Sequence, residues 1–154
     1  MSRVHTIGIF GGGQLGRMMA QAALPLGLRC TFLEDAPECP SAVLGAVYTR
    51  EQLAEFAQSA DIFTLEFENT LLSDADQLLH SKTLYPPRQA LATAQHRLLE
   101  KALFDQLDIP VAAYRQVDTE ADLGAAVEQL GLPLVLKTAT GGYDGKGQFV
   151  LRDT

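Results

Sequence analysis

Tryptophan is absent, and aromatic residues make up only 7% of the chain. Cysteine occurs twice, at Cys30 and Cys39, which is too sparse for a disulfide framework and wrongly spaced for a CxxC metal or redox pair, so both read as ordinary thiols. Basic residues are in deficit: 12 Lys and Arg stand against 19 Asp and Glu, for a net charge of −7. That balance argues against a nucleic-acid surface, which needs a basic stripe. It still allows a small anion held by a glycine-rich loop and one or two cations. No apolar run approaches the ~20 residues of a membrane-spanning helix. Repeats and low-complexity tracts are also missing. The start, Met1 to His5, runs straight into a strand-like segment without a secretory pattern, which predicts a cytoplasmic protein. What is present is 47% hydrophobic and 20% charged over 154 residues, enough for one domain, or a small domain plus part of another, with a real core.

Strand and helix patterns alternate from the beginning. Val4–Phe10 is a buried-strand run stopped by three glycines, and Leu15–Leu26 has helical spacing with Gly27 as its stop. A strand at Leu28–Leu33, a proline-bearing loop at Glu34–Pro40, a helix at Glu51–Ser59 and a strand at Asp61–Phe67 follow. A helix at Leu72–His80 and a short strand at Thr83–Tyr85 complete a series that predicts a doubly wound parallel α/β sheet over residues 1–87. Gln89–Leu107 then reads as one long amphipathic helix, connecting at 88–107 to a second region, 108–154. That region is expected to hold a strand at Val111–Val117, a helix at Glu120–Leu130, and strands at Leu134–Lys137 and Gln148–Arg152 around a glycine-rich loop. A closing hairpin with nothing after it suggests a domain cut short, since one hairpin is marginal alone.

Two glycine loops carry the chemistry. Gly11, Gly13 and Gly16 match G-x-G-x-x-G between a strand and a helix, where glycine permits the turn, the approach of a ligand and close helix packing. The helix start there offers unpaired N–H groups to an anion, and Glu34 lies where a ribose-binding acid would sit in a dinucleotide site. The same glycines would equally serve a turn with no ligand. The second loop is more specific. Lys137 ends a strand, and Gly141, Gly142, Gly145 and Gly147 follow with Lys146 among them. Such a hairpin presents N–H groups to phosphate oxygens, with lysines supplying charge. It lacks the GxxxxGK[ST] pattern of a Walker loop. A plain surface hairpin is the bland alternative.

Together these residues resemble a known family. Gly11-x-Gly-Gln-Leu-Gly-Arg-Met18, the run Glu66-Phe-Glu-Asn69, a helix with Arg97 and Lys101, and Lys137 followed by Gly142-Tyr-Asp-Gly-Lys-Gly-Gln148 look like the N5-carboxyaminoimidazole ribonucleotide synthetases of the ATP-grasp class. The resemblance spans the chain and corresponds to the N-terminal part of such an enzyme. It implies a Rossmann-like pre-ATP-grasp domain followed by the start of an ATP-grasp lid. It also implies a purine-biosynthetic ligase that joins bicarbonate to 5-aminoimidazole ribonucleotide while cleaving ATP to ADP and phosphate, with Mg2+, commonly as a homodimer.

By position, the resemblance assigns Arg97, Lys137 and Gly142, Tyr143, Asp144, Gly145, Lys146, Gly147 and Gln148 to ATP. It assigns Gln14, Leu15, Glu66 and, less directly, Tyr143 to the ribonucleotide. The metal ligands and catalytic acids are expected outside this chain, which alone should be inactive. Two other readings stand beside it: an NAD(P)-binding oxidoreductase domain, supported by the first loop and Glu34, and a non-catalytic module derived from a ligase.

Overall fold

A computed structural model describes residues 5–69, 81–142 and 145–153. The chain divides into two compact units, Met1–Leu91 and Ala92–Thr154. In the first, strand β1 (Thr6–Phe10) leads into helix α1 (Gln14–Ala23), which a 3-10 turn extends to Leu26. Strands β2 (Arg29–Leu33) and β3 (Gly45–Tyr48), helix α2 (Leu53–Ser59), and strands β4 (Ile62–Leu65) and β5 (Thr83–Leu84) follow. All five strands are parallel, in the order β3-β2-β1-β4-β5.

Because side chains alternate across a strand, neighbouring residues of β1 serve opposite faces. Ile9 joins Cys30, Phe32 and the α1 residues Ala20 and Ala23 in one buried cluster. Phe10 joins Phe63, Leu65 and the α2 residues Leu53, Phe56 and Ala57 in the other. The sheet is thus doubly wound, with a helix on each side. Phe56 meets Phe10 and Phe63 edge-on, with ring centroids 5.2 and 5.3 Å apart. A Cβ on Gly8 would lie 2.5 Å from the Phe63 ring, so the aromatic core needs glycine there.

Strand β3 was not expected from the sequence. Four residues, GAVY, emerge from a proline-bearing loop with too little length for a period-two signal. Gly45 lets this edge strand close on the Cys30 carbonyl. The expected helix at Leu72–His80 lies outside the described residues.

The long helix expected at 89–107 is two helices, α3 (Arg88–Gln95) and α4 (Arg97–Gln106), broken at His96. His96 is extended, φ −123° and ψ 109°, and the Arg97 N–H donates to the Ala139 carbonyl instead of continuing the helical ladder. Amphipathic spacing continues through the break, which is why periodicity alone did not reveal it.

Helix α4 ends in a Schellman motif. Ile109 N–H donates to Phe104 O and Asp108 N–H to Asp105 O, with Asp108 at φ 54°. The strand expected at Val111–Val117 is instead irregular, and no described strand pairs with it. Helix α5 (Glu120–Leu130) starts on a Thr119–Asp122 capping box, and β6 (Leu134–Lys137) pairs antiparallel with β7 (Gln148–Leu151).

Candidate functional site

The first glycine turn already holds an anion, and that anion belongs to the chain. Glu66 follows β4 directly, and its Oε2 accepts hydrogen bonds from Gly13 N–H (2.8 Å) and Gly16 N–H (3.0 Å). Helix α1 has no side-chain cap of its own and no acid in its first turn. The Glu66 carboxylate supplies both, quenching orphan donors and facing the positive helix end. A Cβ at Gly11, Gly13 or Gly16 would come within 2.6, 2.7 or 2.8 Å of the Glu66 side chain, and Gly11 also has φ 104°. The glycines therefore admit a carboxylate.

Glu34 is similarly committed: its Oε2 accepts from Gly12 N–H at 3.2 Å. Ser41, fully buried, fixes the same residue from the other side by donating its N–H and hydroxyl to Gly12 O. No sequence pattern signalled Ser41, because its role depends on a 29-residue separation. With both acids bound to the turn, the dinucleotide reading loses its support: the pyrophosphate position is filled and the ribose acid is engaged.

Where β1, β2 and β4 end, a cavity of about 240 Å³ opens, lined by Gly11, Glu34, Asp35, Arg50, Glu66 and Asn69 among others. It lies at the topological switch point, the usual ligand crevice of an open parallel sheet. Among the described residues Arg50 is the one cation on its wall, and Asp35 partners it at 3.2 Å. The described lining is thus net acidic, suited to hydroxyls and amines rather than to a phosphate. Gln14 and Leu15 are exposed on the first turn of α1 and are not part of this wall.

In the second unit, Arg97 and Lys137 face one cavity. Its volume is about 200 Å³, and Lys101, Tyr114, Asp118 and Ala139 also line it. Lys137 closes β6 opposite Gln148. Lys101 lies over the Tyr114 ring, 5.6 Å from its centroid, while the Tyr114 hydroxyl donates to Asp105 at 2.8 Å, a contact that raises the phenol pKa. Arg97 binds the loop itself: its Nε donates to Thr138 O at 3.0 Å and its Nη2 to Gly142 O at 3.1 Å.

Gly141, Gly145 and Gly147 all have positive φ, 79°, 79° and 68°, as the reversal of the chain requires. Thr138, not singled out from the sequence, donates its N–H to Gly147 O across the loop neck. Tyr143 and Asp144 lie outside the described residues. Gly142, Gly145, Lys146, Gly147 and Gln148 form the hairpin without lining the cavity. Among the described residues no three His, Cys, Asp or Glu side chains gather as a metal site, and the residues present do not fit one.

Comparison with known proteins gives the family. Ribonucleotide synthetase pre-ATP-grasp domains match residues 4–95, more than half the chain. The chain belongs to the ribonucleotide synthetase pre-ATP-grasp family. An ATP-grasp domain matches residues 102–154. The N5-carboxyaminoimidazole ribonucleotide synthase of Pseudomonas aeruginosa is 45% identical in an alignment 151 positions long that covers 95% of this chain and 42% of that protein. The N5-carboxyaminoimidazole synthetase of Staphylococcus aureus, solved with ADP, superposes with TM-score 0.89 at 34% identity, over 97% of this chain and 42% of its own. An Aspergillus clavatus N5-carboxyaminoimidazole synthase, solved with ADP and 5-aminoimidazole ribonucleotide, gives 0.78 at 27% identity over 97% and 41%. The chain therefore spans about two-fifths of the length of the relatives it matches. A ribonucleotide synthetase domain followed by ATP-grasp sequence agrees with the doubly wound sheet and glycine hairpin described above. The NAD(P) reading is set aside.

Proposed function

We propose that this chain forms part of an ATP-dependent carbon–nitrogen ligase of purine biosynthesis. The enzyme would convert 5-aminoimidazole ribonucleotide, bicarbonate and ATP to N5-carboxyaminoimidazole ribonucleotide, ADP and phosphate. The observation that carries this reading is the placement of Arg97 and Lys137 on one cavity at the root of a glycine hairpin, in a chain whose relatives are solved with ADP.

In this reading, Lys137, Arg97 and Gly142–Gln148 serve ATP. Bicarbonate is phosphorylated by the terminal phosphoryl group, and the carboxyphosphate, or carbon dioxide from it, is captured by the substrate amine. The loop N–H groups and lysines offset charge developing on the phosphoryl oxygens. Glu66, with Gln14, Leu15 and, less directly, Tyr143 by family position, serves the ribonucleotide. Mg2+, with ligands outside this chain, would neutralise phosphate charge. The domain limits 1–87, 88–107 and 108–154, a cytoplasmic location and a homodimer belong to the same proposal. No helix among the described residues is long and apolar enough to cross a membrane.

The test is ATP turnover by the intact enzyme with and without each co-substrate. Turnover should require both bicarbonate and aminoimidazole ribonucleotide, and K137A combined with K146A should abolish it. Turnover indifferent to both co-substrates, or to both lysine replacements, would overturn the assignment.

A further inference from the structure

A glycine-rich loop that is to bind phosphate faces a sorting problem. Each peptide plane carries an N–H on one side and a carbonyl on the other. Glycine imposes little preference between orientations. A carbonyl turned toward a phosphate repels it as surely as an N–H attracts it. Something outside the loop must therefore hold the carbonyls away.

The structure supplies one residue in position to do this. Arg97 is the first residue of α4, and its backbone N–H donates to Ala139 O at 2.8 Å. From there its guanidinium reaches two further carbonyls, Thr138 O through Nε and Gly142 O through Nη2. Three carbonyls at the start of the loop are thus gathered by one residue. The far side of the neck is closed by Thr138 N–H on Gly147 O. Packing there is tight: a Cβ on Gly142 would lie 2.5 Å from Lys146 O and 3.4 Å from the Arg97 guanidinium, and one on Gly147 would lie 2.8 Å from Thr138 Oγ1. A guanidinium is suited to this because its planar fork has fixed donor directions, whereas an ammonium is a single flexible point charge.

We propose that Arg97 is a positioning residue that works through the loop: it ties back the carbonyls at the hairpin neck before nucleotide arrives, so that the loop's N–H groups remain available to phosphate. This rests on the ATP reading above but differs from a direct phosphate contact by Arg97. A ligand for phosphate matters only when nucleotide is bound. A clasp orders the loop without it.

The experiment is amide hydrogen exchange across residues 138–148 of the intact protein, with and without ADP, for the parent, R97K and R97A. In the absence of nucleotide, both variants should exchange about tenfold faster in this segment than the parent, as expected for losing two charge-assisted hydrogen bonds. Exchange in β1, β4 and α5 should stay at parent level and serves as the folding control. R97K keeps the charge and carries the test if R97A does not fold. ADP should slow exchange in the parent loop and bind both variants more weakly. If the nucleotide-free loop exchanges alike in all three proteins, the clasp is overturned, even if ADP affinity falls. If ADP leaves the parent loop unchanged, the ATP reading itself fails.

Discussion

The residue with the most consequences in the first unit is Glu66. Its Oε2 quenches two N–H groups at the start of α1. Glu66→Ala should destabilise the protein by about 1–3 kcal/mol, the usual cost of stranding such donors. It should also create an anion site, so inorganic phosphate should raise the melting temperature of the variant more than that of the parent; equal shifts would contradict this account. Asp108 offers a gain. It holds a left-handed conformation at the end of α4, which glycine adopts freely. Asp108→Gly should stabilise the second unit by up to about 1 kcal/mol, seen as a higher denaturation midpoint. The candidate residues were legible because glycine spacing and charged residues beside glycines survive in one dimension. What Glu66 and Arg97 hold was not, since their partners are 50 and 41 or more positions away.

Elements were read well where apolar spacing and local stops bounded them. Helix α5 occupies Glu120–Leu130 as expected, while β3 is four residues with no pattern to find. The break at His96 was hidden because a distant carbonyl, Ala139 O, takes the Arg97 amide. Thr119→Ala should cost about 1 kcal/mol and loosen the first turn of α5 in hydrogen exchange. The contact between β1 and β4 sets another expectation. Gly8→Ala would place a methyl against the Phe63 ring, and overpacking of this kind costs about 1–3 kcal/mol. A variant as stable as the parent would mean the ring shifts at no cost.

For the whole molecule, acid sensitivity follows from two carboxylates. Asp61 accepts from the His5 and Thr6 N–H groups, chiefly for that reason titrating below its usual range. Asp122 is lowered first by the Thr119 hydroxyl, then by the Asp118 and Thr119 amides. A carboxylate whose folded pKa is depressed favours the folded state above the unfolded value of ~3.9 and loses that contribution as pH falls through the lower folded value. Stability should therefore decline below about pH 4, and Asp61→Asn with Asp122→Asn should flatten that limb of the pH profile. The parallel sheet and its two helix layers were legible because strand and helix patterns alternate along the chain, but the order β3-β2-β1-β4-β5 was not, since the edge strand β3 left no pattern. The lodged carboxylate bears on protein engineering. A search by fingerprint would rank this domain as a scaffold for a nicotinamide cofactor, yet its socket carries its own counter-ion. Grafting redox chemistry onto it would begin by evicting residues 66 and 34. The scaffold would lose its helix cap in the same step.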